Sequence, residues 1–340
     1  MNNYNSLSKS RKIIIKNKVN KIIKAYRYYR KKKETITLTS TRNNTENLLD
    51  CLTHNNNQNT ENNQNNIKNI NIISDRNIQS EYIGQKDSYG NKNGFGIQRW
   101  RDGSKFTGTF LNNKAMGWGI FIHEDGDIYQ GEFSNDRTNG YGEYIRENIA
   151  VYKGYWLNDT QFGVGSEIWN DSSEYNGEYN NGKKEGIGTY IWQDKTKYYG
   201  EWKKNIMEGL GIYTFEDGRI YIGEWMKNRM YGYGECYYTD GKKYFGYYKM
   251  DKKDGFGIFY WPSNKYYIGF WREGKQNGMA KFIKGDYSRY GIWVGGRKEK
   301  WFHDEEDFIN NLDPYDEKYL PIFKWNVNKV KEFLEIDKKL

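Results

Sequence analysis

The strongest constraint on the fold is a phrase of 23 residues that recurs with little change between Tyr82 and Trp293. Each copy has an aromatic residue, a glycine two positions later, a second aromatic residue two positions after that, and then a Gly-x-Gly. The first aromatic residues of the regular copies are Phe106, Tyr129, Tyr152, Tyr175, Tyr198, Tyr221, Tyr244 and Tyr267. The last copies are degenerate, because the ninth ends its motif with Ala280 and a tenth survives only around Gly291. Degenerate ends are typical of the capping units of a repeat array.

The alternation within one copy predicts a β-hairpin. Strand periodicity places Tyr129 and Gly131 on one face of a first strand, and Gly142 and Tyr144 on the same face of the next. A ring can then lie over a glycine of the neighbouring strand, which explains why glycine recurs in a strand. Tight turns between copies are predicted at Asp102-Gly103, Asp125-Gly126, Asp217-Gly218 and Asp240-Gly241. The predicted fold class is an all-β repeat, an elongated single antiparallel meander of hairpins with short flanking N- and C-terminal helices.

These residues, an aromatic-x-Gly-x-aromatic and then a Gly-x-Gly in a 23-residue frame, closely resemble the MORN repeat family. The predicted array spans residues 81–300, with about nine repeats and a degenerate tenth. The histidine that often precedes the first glycine of the pair is replaced here by residues such as Asn139, Phe162 and Glu185. The resemblance implies roles in cytoskeletal or membrane-associated assemblies, including ciliary and cell-division structures. Binding to phosphoinositides has also been proposed for such repeats.

The positive charge of the chain is concentrated at its N-terminus. The net charge is +9, but residues 1–33 contain twelve Lys and Arg and no acidic residue, which leaves 41 basic and 44 acidic residues elsewhere. The array and its flanks therefore carry −3, which disfavours nucleic acid and weakens direct binding of the repeats to anionic headgroups. We expect any contact with an anionic membrane to be made through residues 1–33.

Residues 1–33 have the pattern of a basic amphipathic helix, with apolar residues at steps of three and four. The segment resembles an IQ motif, with Ile22 in the leading apolar place, Arg27 in the central basic place and Lys32 in the last. Ile23 and Tyr28 depart from the usual Gln and Gly. The resemblance implies a calmodulin-like protein or light chain as partner, although an anionic membrane or a self-packed helix also fits the pattern. The predicted partner-binding residues of the helix are Ile15, Val19, Ile22, Tyr26, Arg27, Tyr29, Arg30 and Lys32.

Two further segments flank the array. Residues 34–80 are rich in Asn, Thr, Gln and Ser, and predict a disordered linker. Residues 301–340 contain an acidic segment and a predicted terminal helix through Val327, Val330 and Phe333. The end of this segment is similar to the first helix of a SAM domain, but it is too short for the whole domain. We expect it to dock on the array or to mediate a contact.

The second face of the predicted sheet is also apolar, because the middle residue of every Gly-x-Gly points away from the rings. This apolar stripe widens toward the C-terminal end. The terminal helices of the chain could cover it, or it could form a homodimer or partner surface. The predicted partner-binding residues of this face are Trp118, Tyr141, Tyr233, Phe245, Tyr247, Phe256 and Phe270.

The sequence predicts no catalytic, cofactor-binding or metal-binding residues. The recurrent Glu132, Glu178, Glu201 and Glu224 are interpreted as a solvated strand face. Gly-x-Gly is followed by a strand and not by the helix of a phosphate-binding loop. Neither Cys51 nor Cys236 has metal or redox spacing, which favours a reducing compartment. We therefore predict a non-catalytic, cytoplasmic scaffold associated with the cytoskeleton or a membrane. The alternatives are a peripheral phosphoinositide-binding module and a regulatory partner of a lipid kinase.

Overall fold

The computed structural model describes residues 80–335 of the 340-residue chain. The predicted basic helix of residues 1–33 lies outside the described residues, as does the predicted linker except for Ser80. Within the described part, almost all of the regular structure is antiparallel strand.

Twenty strands form one sheet. In chain order, β1 to β10 are Ser80–Lys86, Lys92–Trp100, Lys105–Leu111, Lys114–Ile122, Ile128–Ser134, Arg137–Arg146, Ala150–Leu157, Thr160–Trp169, Glu174–Asn180 and Lys183–Ile191. Strands β11 to β20 are Lys197–Lys203, Ile206–Thr214, Ile220–Met226, Arg229–Tyr237, Lys243–Lys249, Lys252–Trp261, Lys265–Arg272, Lys275–Lys284, Tyr287–Val294 and Arg297–Trp301.

Each strand pairs with the next strand in the chain, so every repeat contributes one hairpin. Among the described residues, β1 pairs only with β2 and β20 pairs only with β19. The sheet is therefore an open meander, which confirms the predicted fold class. Three short helices follow it: α1 at Glu305–Asn310, α2 at Leu320–Phe323 and α3 at Val327–Glu335. A 3-10 turn at Glu317–Tyr319 leads into α2.

Two kinds of turn join the strands. Within a repeat, a two-residue turn has positive φ at both residues, as at Asn135 (51°) and Asp136 (67°), which is the type I′ geometry that suits the twist of a hairpin. Between repeats, the loops contain a residue with positive φ, which is glycine in the Asp-Gly loops; Gly126, with a φ of 93°, ends a three-residue loop of this kind. The loop is closed by the backbone N–H of His123, which donates to the carbonyl of Asp127 at 2.8 Å. The predicted Asp-Gly turns are therefore confirmed.

In most repeats the second residue of the type I′ turn is Asn or Asp, and it also bonds the repeat to the one before it. The backbone N–H of Asp136 donates to the carbonyl of Ala115 at 3.1 Å, while its Oδ1 accepts from the N–H of Ala115 at 2.7 Å. Short polar side chains are favoured here because they tolerate positive φ and bond to nearby backbone. Residues that make the same side-chain contact to the preceding repeat are Asn113, Asp159, Asn205, Asn228 and Asp251.

The first face of the sheet, which carries Tyr129 and its equivalents, holds the main core. The ring of Tyr129 lies over Gly131 and Gly142, which pair across neighbouring strands. A Cβ placed on Gly142 would come within 2.3 Å of the tyrosine oxygen. That oxygen donates to the carbonyl of Glu132 at 3.1 Å, so the buried hydroxyl has a partner. The structure thus confirms that the rings lie over glycines.

The rings of successive repeats form a continuous ladder along the first face. Tyr129 meets Phe133 at 5.1 Å and Trp156 of the next repeat at 5.3 Å, both nearly perpendicular. Tyr152 meets the same Trp156 at 5.2 Å and continues the ladder to Tyr179. Edge-to-face contacts of this kind add about 0.5–1.5 kcal/mol each beyond the burial of area. A single layer can therefore bury its tyrosines, because each ring is covered by its neighbours.

Candidate partner-binding surfaces

The second face of the sheet differs between its two ends. At the N-terminal end, apolar side chains of β2 to β8 are open to solvent, with 51% of Phe95, 47% of Tyr155 and 49% of Ile168 exposed. Trp118 and Tyr141 lie among them and are half-buried. The rings of Tyr141 and Tyr155 meet edge to face at 5.6 Å. We call this surface the N-terminal patch; it consists of Phe95, Trp118, Tyr141, Tyr155, Val164 and Ile168.

At the C-terminal end, the same face is covered by the helices of the chain. Phe256 is 6% exposed and stacks on Tyr319 at 4.3 Å, with an angle of 7° between the rings. Phe323 of α2 meets the ring of Phe256 at 5.5 Å. Phe308 of α1 is fully buried beside Phe323, at 5.0 Å. We call this the covered end; its sheet residues are Phe245, Phe256, Ile258, Tyr266, Ile268, Phe270, Met279, Ile283 and Tyr290.

Polar contacts from two sheet residues, Lys281 and Tyr290, hold the helices on the covered end. Lys281 is 6% exposed, and its Nζ donates to the carbonyl of Trp325 at 3.1 Å while lying 4.9 Å from the ring centre of Tyr290. The hydroxyl of Tyr290 donates to Glu305 of α1 at 2.9 Å. Burial lowers the pKa of Lys281 and raises that of Tyr290. At its start, α1 is capped by Asp304, whose side chain accepts from the N–H of Asp307.

The predicted residues of the second face fall into three groups. Trp118 and Tyr141 belong to the N-terminal patch. Tyr233 and Tyr247 form a half-buried pair with ring centres 6.0 Å apart, next to the covered end. The structure packs the other three against the chain's own C-terminal segment, which is the alternative that the sequence left open; they are Phe245, Phe256 and Phe270. The predicted residues of the N-terminal helix lie outside the described residues.

The recurrent glutamates of the second face have a structural role that the sequence interpretation missed. Oε1 of Glu132 accepts from the backbone N–H of Tyr141 at 3.0 Å. In their own repeats, Glu178 and Glu224 accept in the same way from the backbone N–H of Ile187 and Tyr233 on the neighbouring strand. The bonded N–H follows a glycine with positive φ and lies where the ladder is irregular. These carboxylates therefore complete the backbone hydrogen bonding at a bulge, and describing them only as a solvated face was incomplete.

A second group that sequence reasoning missed lies on the first face. Arg146 and Glu167 occupy places where neighbouring repeats have rings, and they pair at 3.0 Å beside a cavity of about 520 Å³. The signal in the sequence is that charged residues replace rings at equivalent positions of neighbouring repeats, 23 residues apart. Arg146 takes the place of His123 and Trp169, and Glu167 takes the place of Tyr144 and Tyr190.

Neither metal clusters nor membrane-spanning helices emerge from the described region. In residues 80–335, no group of three or more His, Cys, Asp or Glu side chains is placed to hold a metal ion. None of the helices in the same region combines the length and the apolar character needed to cross a bilayer.

The fold and its surfaces define a class of protein, an open all-β repeat array that presents two long faces. The MORN repeat model matches nine consecutive segments that together exceed half of the chain, and the chain therefore belongs to the MORN repeat family. MORN repeats are non-catalytic units that generally bind proteins or membranes. The matched segments are residues 82–105, 106–128, 129–148, 152–174, 175–197, 198–218, 221–243, 244–266 and 267–289.

Two solved structures are similar to parts of the chain at low identity. One is the TCP domain of SAS-4 from Drosophila melanogaster in complex with a proline-rich motif of Ana2, with 13% identity, coverage of 43% of this chain and 79% of that chain, and a TM-score of 0.28. The other is the G-box domain of the microcephaly protein CPAP, with 10% identity, coverage of 61% and 97%, and a TM-score of 0.28. Scores this low support no inference about function. No curated relative matches the sequence significantly.

Proposed function

We propose that this protein is a non-catalytic scaffold that binds a helical segment of a partner protein on its N-terminal patch. The observation that carries the proposal is the covered end, where the same face of the same sheet already packs against helices. Both regions present apolar side chains at the middle place of the Gly-x-Gly, such as Trp118 in the patch and Phe256 under the helices. Exposed apolar side chains grouped on one face usually mark a contact.

The chemistry of the partner follows from the covered end. There the helices contribute the fully buried rings Phe308 and Phe323, together with a few polar contacts to buried side chains of the sheet. A partner for the N-terminal patch would therefore be an amphipathic helix with aromatic or large aliphatic residues along one side. A second copy of the chain is the other occupant that this surface would accept, since isologous contact of two such patches would form a homodimer.

The N-terminal segment suggests a second interaction within the same scaffold function. Twelve positive charges and an apolar stripe in residues 1–33 suit the acidic, apolar groove of a calmodulin-like protein or light chain. The same concentration of charge supports the alternative function of a peripheral module on an anionic or phosphoinositide-containing membrane. Both interactions would place the protein in cytoskeletal or membrane-associated assemblies of the cytoplasm.

A photo-crosslinking experiment tests the scaffold proposal. A benzophenone amino acid replaces Tyr155 in the patch of the full-length chain in cells, and Asn180, an exposed polar turn-flanking residue, serves as the matched control position. We expect one discrete crosslinked protein from the probe at position 155. In a second experiment the probe replaces Val164, and the double variant Tyr155→Glu and Trp118→Val should abolish the crosslink that this probe forms in the otherwise unchanged chain. Both replacements occur naturally at the equivalent places of sister repeats, as Glu178 and Val164, so the fold should be retained.

The outcomes separate the possible occupants. A product of twice the chain mass would identify a homodimer, which light scattering on the purified chain would confirm. Equal labelling from positions 155 and 180 would contradict a specific surface. Binding of labelled calmodulin and of phosphatidylserine vesicles is then compared between the full chain and the chain beginning at Glu81. Calmodulin binding that needs residues 1–80 supports recruitment of a light chain, whereas vesicle binding alone favours the membrane module.

A further inference from the structure

The rows of aromatic rings on the first face are interrupted around the fourth repeat, where charged side chains take the place of rings. Glu167 stands where the third and fifth repeats have Tyr144 and Tyr190, and Arg146 stands where the next repeat has Trp169. A carboxylate and a guanidinium fill less of the face than the rings they replace. The result is an open cavity of about 520 Å³, within the size range of ligand sites.

The buried carboxylate in this cavity is already neutralised. Glu167 is 7% exposed, and its Oε1 accepts from Nη2 of Arg146 at 3.0 Å. Its Oε2 accepts from the hydroxyl of Tyr179 at 3.1 Å, and burial together with this contact raises the pKa of Tyr179. Both oxygens therefore have partners, and one positive charge compensates the negative charge of Glu167.

A second cation, Lys184, lines the same cavity without a carboxylate of its own. Its Nζ lies over the rings of Trp169 and Tyr175, at 4.8 and 5.1 Å from their centres. Among the described residues it forms no ion pair within 4.0 Å, and burial lowers its pKa. The other carboxylate at the cavity, Asp159, is exposed at the rim, where it bonds to the backbone N–H of Thr138. The interior thus has one more positive than negative group.

We propose that this cavity receives an acidic side chain from an extended segment of a partner protein. The ammonium of Lys184, which has no carboxylate within 4.0 Å among the described residues, and the N–H groups of Arg146 that do not bond Glu167 would bind the carboxylate, in a site where partial burial strengthens the interaction. A protein segment fits because half-buried rings line and flank the cavity: Trp156 lies in its wall, and Tyr190 and Trp192 continue the surface outside it. These rings would contact the residues that flank the acidic one.

The array contains a matched control for the role of Lys184. Met207 and Met230 occupy the equivalent place in the sixth and seventh repeats, so Lys184→Met places a residue that the fold already accepts. Lys253 is the equivalent lysine of the eighth repeat, where its Nζ lies 4.8 Å from the ring of Phe259 and 5.0 Å from that of Trp271. Lys253→Met therefore makes the same chemical change on the same face, away from the cavity.

The test is equilibrium selection on the immobilised full-length chain, from a library of decapeptides with a central Glu, Gln or Lys and random flanking residues. We expect central Glu to be enriched about tenfold over Gln, which corresponds to one charge-assisted contact. Lys184→Met should remove this enrichment and Lys253→Met should leave it. Glu167→Gln should increase it, because the neutral amide no longer compensates the positive charge of Arg146.

Three results would overturn the proposal: equal recovery of Glu and Gln peptides, enrichment of Lys peptides, or an equal loss in both lysine variants. The site lies on the opposite face from the N-terminal patch. Peptide selection should therefore survive in the Tyr155→Glu and Trp118→Val variant, and the failure of one proposal leaves the other standing.

Discussion

The two ends of the second face have the same strand geometry, but one end is exposed to solvent and the other is covered by helices. Around Tyr141 and Tyr155 the face is open, whereas around Phe256 and Phe270 it lies beneath α1, α2 and the 3-10 turn. The repeat frame is unchanged between these regions, with Gly142 and Gly257 in equivalent places under rings of the first face. What differs is the presence of a segment outside the repeats that covers one end.

This comparison shows that the repeat itself stabilises only one of its two faces. The first face is covered from within, by rings over glycines and by the ladder between repeats. The second face needs a separate layer, because a single sheet has no further strands to supply one. Helices of the chain provide this layer at the C-terminal end, which is why we assign the other end to a partner.

The largest effect is expected from Phe308→Ala, which removes a fully buried ring between Phe302, Tyr290 and Phe323. Loss of a buried phenylalanine costs about 3–5 kcal/mol, so the helical segment should open locally. Hydrogen exchange over residues 302–335 measures this change. The control Ile168→Ala, at the open end, should cost less than about 0.5 kcal/mol. Similar losses at both sites would remove the distinction between the ends.

An intermediate effect is expected from alanine under the rings, and it should be the same at both ends. A Cβ on Gly119 would meet Phe106 at 2.6 Å, and one on Gly257 would meet Tyr244 at 2.5 Å. Overpacking of this kind costs about 1–3 kcal/mol. Hydrogen exchange of the affected hairpins should report matching losses for Gly119→Ala and Gly257→Ala.

The ninth repeat supplies the control for this prediction, because Ala280 already occupies the equivalent place. Ala280→Gly should have a smaller effect than either substitution to alanine. If only Gly257→Ala were destabilising, the two ends would differ on the first face as well. This result would contradict the conclusion that they differ only in the layer covering the second face.

The smallest effect is expected from Lys281→Met, which removes the hydrogen bond from Nζ to the carbonyl of the half-buried Trp325; the net loss of one such bond is about 0.5–1.5 kcal/mol. The matched change Lys153→Met removes an exposed pair with Glu143 at the open end, which contributes about 0–1 kcal/mol. Proteolysis of the C-terminal segment compares the two variants. Equal resistance to cleavage would show that Lys281 does not fix the helices.

The pH dependence provides a second measurement on the same lysine. Burial lowers the pKa of Lys281 when the helices are docked. When the helices are released, the amine regains its ordinary pKa and is protonated to a larger extent at the same pH. Docking should therefore become more favourable as the pH rises from the lowered pKa toward 10.5, and this gain should be absent in Lys281→Met. The measurement stays below pH 10, above which ionisation of buried tyrosines such as Tyr290, whose pKa is raised, would oppose folding.

The hairpins and their core could be predicted because they depend on local, repeated relations. Tyr129 and Gly142 are placed together by strand alternation and a short turn, and the same relation recurs in each repeat. The role of Glu132 was not predicted, because the N–H that it accepts from is freed by an irregularity in the ladder that residue spacing does not show.

The sequence by itself determined the meander, the rings over glycines and the positions of the turns, since each depends on residues at most one repeat apart. Only the tertiary structure decided which part of the second face is covered. Lys281 reaches Trp325 across 44 positions of sequence, and no periodicity encodes a contact between a repeat and a non-repeating tail. The cavity beside Glu167 likewise arises from residues of four consecutive repeats, whose volumes and charges combine only once the strands lie side by side.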